Sequence, residues 1–278
     1  MSHWIQWEVN YRQRYAIEGI FAVNARNATT STAKQRLSTT TAVSQSAPVD
    51  EEDARGISAR AFDDLRGLIL RGELVAGGEY TQSELSRRVG VGRTPLRDAL
   101  RLLEREGLVI NSGMHRSVLI SPLTMNDLDD LYSMRVTGEA LAAWLTVPVL
   151  RSADFERLEG ELDLIDQGDR DAHRRFHAGL RVGAGARLTE HLATLFDHAE
   201  RYQEARLSAE PDEEMVAARL AEHRPILDAF IARDRTLARD LIVDHIAATA
   251  EALMTAERHA PFSFPTAVAM AKFGCVHT

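Results

Sequence analysis

In the stretch GVGRTPLRDALRLLEREGLV, residues 90–109, Leu96, Ala99, Leu100 and Leu103 recur at helical spacing. A run with that period buries one face of a helix and leaves the other to solvent. Arg97, Arg101 and Arg105 fall at i, i+4 and i+8 on the solvent side, with Arg93 just ahead of them. The helix reads as capped by Thr94, with Pro95 at the first helical position, where a missing N–H costs nothing, and as stopped by Gly107. Just before it, TQSE (Thr81 to Glu84) forms a capping box, which starts a shorter helix that buries Leu85 and Val89 and ends at Gly90. Between the two helices Gly-Val-Gly leaves room only for a tight turn.

The surroundings extend this helix pair into a domain. Ser58 reads as the cap of an earlier helix with a Phe62, Leu65, Leu68, Ile69 stripe and Gly72 as its stop. After the arginine helix come Leu108 to Ile110 and Ser117 to Ile120, separated by NSGMHR, a hairpin with a basic tip. Three helices and a hairpin make a winged helix-turn-helix over residues 56–121, with the arginine helix as reader. A helix start offers unpaired amides that suit a phosphate, and arginine's planar fork pairs with guanine in the major groove of double-stranded DNA. The expected contacts are base edges for Arg93 and Arg97, a phosphate for Thr94, and groove or backbone for Arg116 on the wing. The competing reading makes the arginines a solvated face paired with Asp98, Glu104 and Glu106. The capping box, the tight turn and the wing together favour the reader.

Charge divides the chain. The net value is −8, yet residues 55–120 hold 11 Arg against 8 acidic side chains, whereas residues 121–258 hold 16 Arg against 27 acidic ones. The first segment suits a polyanion and the second repels one. The single cysteine, Cys275, excludes an intramolecular disulfide framework and fits a cytoplasmic setting. No apolar run approaches the roughly 20 residues that cross a bilayer. Residues 1–55, rich in Ser, Thr and Ala, are expected to be mostly disordered, and residues 259–278, which begin with Pro261 and Pro265, to be a loose tail.

Residues 122–258 read as an all-α bundle of about six amphipathic helices, near 125–146, 152–167, 170–183, 187–208, 212–232 and 234–257. The fold class is therefore mainly α. His173 and His177 lie at i and i+4 in HRRFH, while His223 and His245 fall among apolar neighbours on the last two helices. Any one of them alone is more easily a hydrogen-bonded core histidine. Four on one interior would repel if protonated and lack partners if neutral, and a divalent metal resolves both problems. His191 and His198 are expected at the surface.

The segment LRGLILRGELVAGGEYTQSELSRRVGVGRTPLRDALRLLEREGLV resembles the DNA-binding domain of the GntR family of bacterial transcription regulators over essentially its whole length. The resemblance implies DNA contact by Arg93, Thr94 and Arg97. Ser83 stands where many members have a DNA-contacting Arg, Gly92 where Ser or Thr is usual, and Ala76 replaces a common proline. MRVTGEALAAWL and the histidine pattern resemble the FCD ligand-binding domain of the FadR branch. That likeness implies a metal held by an Asp and three His, matched here by His177, His223 and His245, with His173 at the Asp position. A four-His site favours Zn2+ or Ni2+ over harder ions. Asp171 is the fallback ligand, although six residues before His177 it points to another helix face. The resemblance further implies a small carboxylate effector beside the metal, with Arg135 as a bidentate partner for its other end; a salt bridge from Arg135 to Glu139 at i+4 is the alternative.

The reading that follows is a metabolite-responsive regulator, a homodimer on a two-fold operator. A helical-bundle metalloenzyme fused to a DNA-binding module is the alternative, but the paired histidines lack the adjacent Glu of a HExxH arrangement. A purely structural metal in a constitutive DNA-binding protein is the third.

Overall fold

The computed structural model describes residues 51–110, 117–209 and 220–273. Its first helix, α1, spans Glu51–Leu70, so Ser58 lies inside the helix and does not cap it. Good helix formers on both sides, Arg55, Ala59, Arg60 and Ala61, carry the helix through the serine. The expected disordered segment therefore gives way to helix by residue 51, and its remainder lies outside the described residues. Strand β1, Glu79–Thr81, leads into α2, Gln82–Val89, whose capping box is present in full: Glu84 N donates to Thr81 Oγ1, and Thr81 N donates to Glu84 Oε2 at 2.8 Å. Gly90 closes α2 in the left-handed region at φ 67°, where a Cβ would be strained.

The reader helix α3 spans Arg93–Arg105 and buries Leu96, Ala99, Leu100 and Leu103. Its cap is Gly92, with no side-chain hydrogen bond, and not Thr94, which lies within the first turn. Pro95 is then the third helical residue, still within the turn whose N–H groups have no intrahelical partner, so the proline is tolerated there. Strands β2, Val109–Ile110, and β3, Ser117–Ile120, complete a three-stranded antiparallel sheet in the order β1-β3-β2. The wing's tip, residues 111–116, and with it Arg116, lies outside the described residues. Leu65, Leu85, Leu100, Leu108, Val118 and Ile120 close the core of this domain.

The second core belongs to the bundle: α4 Met125–Thr146, α5 Ser152–Asp166, α6 Arg170–Gly179, α7 Ala186–Ala209, α8 His223–Ile231 and α9 Arg235–Ala256. Helix α4 begins at Thr124, whose hydroxyl accepts from Asp127 N, and carries Leu128, Tyr132, Val136, Ala140 and Ala143 into the interior. Of the helix expected over 212–232, residues 212–219 lie outside the described residues, and the described part contains α8. Residues 264–273 form a further helix, α10, Phe264–Phe273, packed on α4 and α9 with Phe264, Ala267 and Ala271 buried. This corrects the expected loose tail. Pro265 occupies the first turn of α10, the place where proline starts a helix, and buried Asp129 of α4 accepts from Phe262 N, Phe264 N and Ser263 Oγ at 2.6, 2.8 and 2.9 Å. No described helix is long and apolar enough to cross a membrane.

Candidate DNA reader and imidazole centre

The amphipathic split of α3 decides which arginines are available. With its leucines buried, Arg93, Thr94 and Arg97 are exposed at the leading end of the helix. No acidic side chain stands in that first turn and no side chain caps it, so the helix start keeps its positive character. Among the described residues neither Arg93 nor Arg97 has an acidic partner. The solvated-face reading holds further along: Arg101 sits 3.7 Å from Asp98. Glu106 does not join that face. It takes Arg66 of α1 at 2.8 Å.

In the bundle, α6, α8 and α9 bring His173, His177, His223 and His245 together, one ring nitrogen from each lying within 4.8 Å of the others. The rings of His177 and His245 stack at 24°, and those of His173 and His223 meet edge to face with centroids 5.0 Å apart. His177, His223 and His245 are buried and His173 partly so. Outer acceptors orient three of the rings. His245 Nδ1 lies 2.7 Å from Glu222 Oε2, His223 Nδ1 is 3.1 Å from the Leu220 carbonyl, and His173 Nδ1 is 3.5 Å from Glu200 Oε1. A proton held on Nδ1 by such an acceptor leaves Nε2 as a bare lone pair, the arrangement that outer acceptors impose on metal-ligating histidines. His177 Nε2 and His223 Nε2 face each other at 3.3 Å. If both Nε2 atoms are unprotonated, their lone pairs repel at that separation; an Nε2–H on one neutral ring, or a cation between them, relieves this. Burial first, then the charges of His173, His245 and His223, hold His177 well below the ordinary imidazole range. Burial likewise lowers His245, against the pull of Glu222. A second, charging proton on these rings is thus disfavoured, and the donor set fits a divalent ion of nitrogen preference. Asp171 is exposed and is not among the converging ligand atoms.

A cavity of about 510 Å3 opens beside the rings, lined by His173, His223, His245, Arg135, Arg174 and Glu200, and by Leu70 and Arg71 at the end of α1. Arg135 is 3% exposed and its Nε has no hydrogen-bond partner. The alternative pairing to Glu139 is present only at 4.0 Å, because Glu139 Oε1 accepts instead from Arg181 Nη1 at 3.0 Å. Burial raises the Glu139 carboxyl above its usual range despite both arginines. Arg135 packs over Phe196, 4.7 Å from the ring centroid. Arg135 thus lines the cavity with a guanidinium that has spare donor capacity.

Sequence reasoning missed Glu200, Glu222 and Arg174. Glu222 directly precedes His223 yet serves His245, a cross-helix pairing that no spacing within one helix reveals. His191 is exposed as expected, but His198 is not a surface residue: its side chain is 19% exposed, with Nε2 3.8 Å from Glu106.

Comparison with known proteins matches the bacterial regulatory proteins of the gntR family over residues 57–116 and the FCD domain over residues 130–248. An HTH-type transcriptional regulator from an unstable DNA locus of Streptomyces ambofaciens is 30% identical over 220 residues, which cover 73% of this chain and 87% of the relative. The HTH-type transcriptional repressor GlaR of Escherichia coli K12 is 27% identical over 199 residues, 66% of this chain and 89% of the relative. Among solved structures, E. coli McbR/YncC superposes with a TM-score of 0.63 at 18% identity, covering 72% of this chain and 98% of that one.

Proposed function

The chain belongs to the gntR family of bacterial regulatory proteins, with an FCD domain behind its DNA-binding domain, and from that premise we propose that it is a metabolite-responsive repressor or activator whose bundle holds a divalent metal. The DNA-binding and regulatory character is the family's; the relatives named are transcriptional regulators, and the metalloenzyme alternative falls away with them. The metal, the effector and the assembly are our reading.

One observation carries the metal reading: one ring nitrogen from each of His173, His177, His223 and His245 converges, while the Nδ1 atoms of His223 and His245 lie at hydrogen-bond distance from a carbonyl and a carboxylate and that of His173 lies 3.5 Å from a carboxylate. His173, His177, His223 and His245 would hold Zn2+ or Ni2+, and the ion would supply a fixed positive charge to an anionic ligand. Arg135 would take the other end of a small carboxylate effector through its unused donor, in the bidentate manner that guanidinium favours. The site of action is cytoplasmic. A two-fold operator requires a dimer, and Met134, Leu141 and Leu145, exposed by 48%, 47% and 38% at helical spacing on α4, offer an apolar row for it.

The test is a thermal-shift screen of small organic acids on metal-loaded protein and on the Arg135→Met variant. The reading expects a carboxylate that stabilises the loaded wild type and not the variant. Equal stabilisation of both would place the effector elsewhere.

A further inference from the structure

Arg66 of α1 lies between two domains. Its Nε donates to Glu106 Oε1 at 2.8 Å, and its Nη2 donates to Asp197 Oδ2 of α7 at 2.6 Å. Glu106 is the residue that caps the trailing end of the reader helix α3. Both carboxylates are largely buried, their side chains 13% and 8% exposed. Glu106 also faces His198 of α7, and Asp197 forms an ion pair with Arg174, the residue next to His173. A second attachment lies one helical turn away: Arg201 Nη2 donates to the Ser121 carbonyl at 2.8 Å, fixing the connector where the reader domain ends. Asp197 and Arg201, at i and i+4, therefore present one face of α7 as a two-point seat for the reader domain.

We propose that Arg66 is a positioning residue for DNA reading, clamping the trailing end of α3 to the bundle through Glu106 and Asp197. Isolated surface ion pairs hold little, but an arginine shared by two shielded carboxylates of different domains is a network whose loss leaves charges uncompensated. The leverage follows from helix length. The 13 residues of α3 span about 20 Å, so a tilt of about 10° at the clamped end carries Arg93 about 3 Å, more than a bidentate base contact tolerates. Without the Arg66 link, the Ser121 attachment still ties the connector to the bundle, and the reader domain has freedom to pivot about it. The clamp ends one residue from the imidazole cluster, because Asp197 is shared with Arg174 of the cavity wall.

The experiment uses the full chain and a duplex that the wild type enriches from random-sequence DNA. Arg66→Met and Asp197→Asn should each weaken binding to that duplex about tenfold, and the double variant about tenfold too, because both remove one shared interaction. Arg66→Lys, which keeps the charge but loses the fork, should recover only part of the affinity. In parallel, spin labels at Arg87→Cys and Glu190→Cys in a Cys275→Ser background, diluted with unlabelled chain, report the distance between reader and bundle. A narrow distribution in the wild type that broadens in both single variants supports the clamp, and it does so whether or not a duplex is enriched, so failure of the DNA reading stays separate. Additive losses near a hundredfold, single variants within twofold of wild type, or an unchanged distance distribution would overturn it.

Discussion

Replacing Arg93 or Arg97 with alanine removes an exposed guanidinium from the leading end of α3 and nothing from the core. Each change should cost about 1–3 kcal/mol of specific operator binding while leaving thermal stability in place. Gel-shift titration of a selected duplex checks this, and unchanged affinity would contradict the assigned reader face. The histidines were legible in sequence because i, i+4 spacing within α6 and apolar neighbours on α8 and α9 fix which way a ring points. Their outer acceptors were not legible, since Glu200 and Glu222 reach their rings from other helices. The same burial makes a pH prediction. In the metal-free protein, His177 and His245 stay neutral below the ordinary range, whereas the unfolded chain's histidines take up protons near pH 6.5. Stability should be level above that value and fall as pH drops beneath it, because the unfolded state then binds protons that the folded state cannot. Urea midpoints across that range measure it; a midpoint that does not fall on acidification contradicts buried, neutral His177 and His245.

At the scale of elements, capping chemistry gave the starts of α2 and α4 correctly and misplaced those of α1 and α3. A serine or threonine next to good helix formers satisfies the cap pattern and the helix interior equally well, so only the hydrogen bonds distinguish the two. Strand β1 escaped notice because three residues carry no readable alternation, and its existence depends on pairing with β3. Helix α10 was hidden for a related reason: its anchor, Asp129, lies 135 residues away in the chain. That anchor accepts three hydrogen bonds while almost fully buried. Asp129→Ala should therefore cost about 1–3 kcal/mol and release α10 to proteolysis while the reader domain stays folded. Chemical denaturation with limited digestion checks it, and an intact C-terminal segment in the variant would show that apolar packing alone holds the helix.

Across the whole molecule, the basic reader and the acidic bundle divide the work that the charge pattern announced. The bundle's excess of 27 acidic side chains over 16 Arg should keep DNA off it, so non-specific affinity should track the reader domain alone. What the sequence left unread is how the two domains meet, because Arg66, Glu106 and Asp197 become neighbours only after both cores form. Whether the imidazole cluster is a metal centre is decided by elemental analysis of purified protein beside its His223→Ala variant. A metal centre gives about one Zn or Ni per chain in the wild type and a large loss in the variant. Wild-type protein without transition metal, or a variant that keeps its full content, would contradict it.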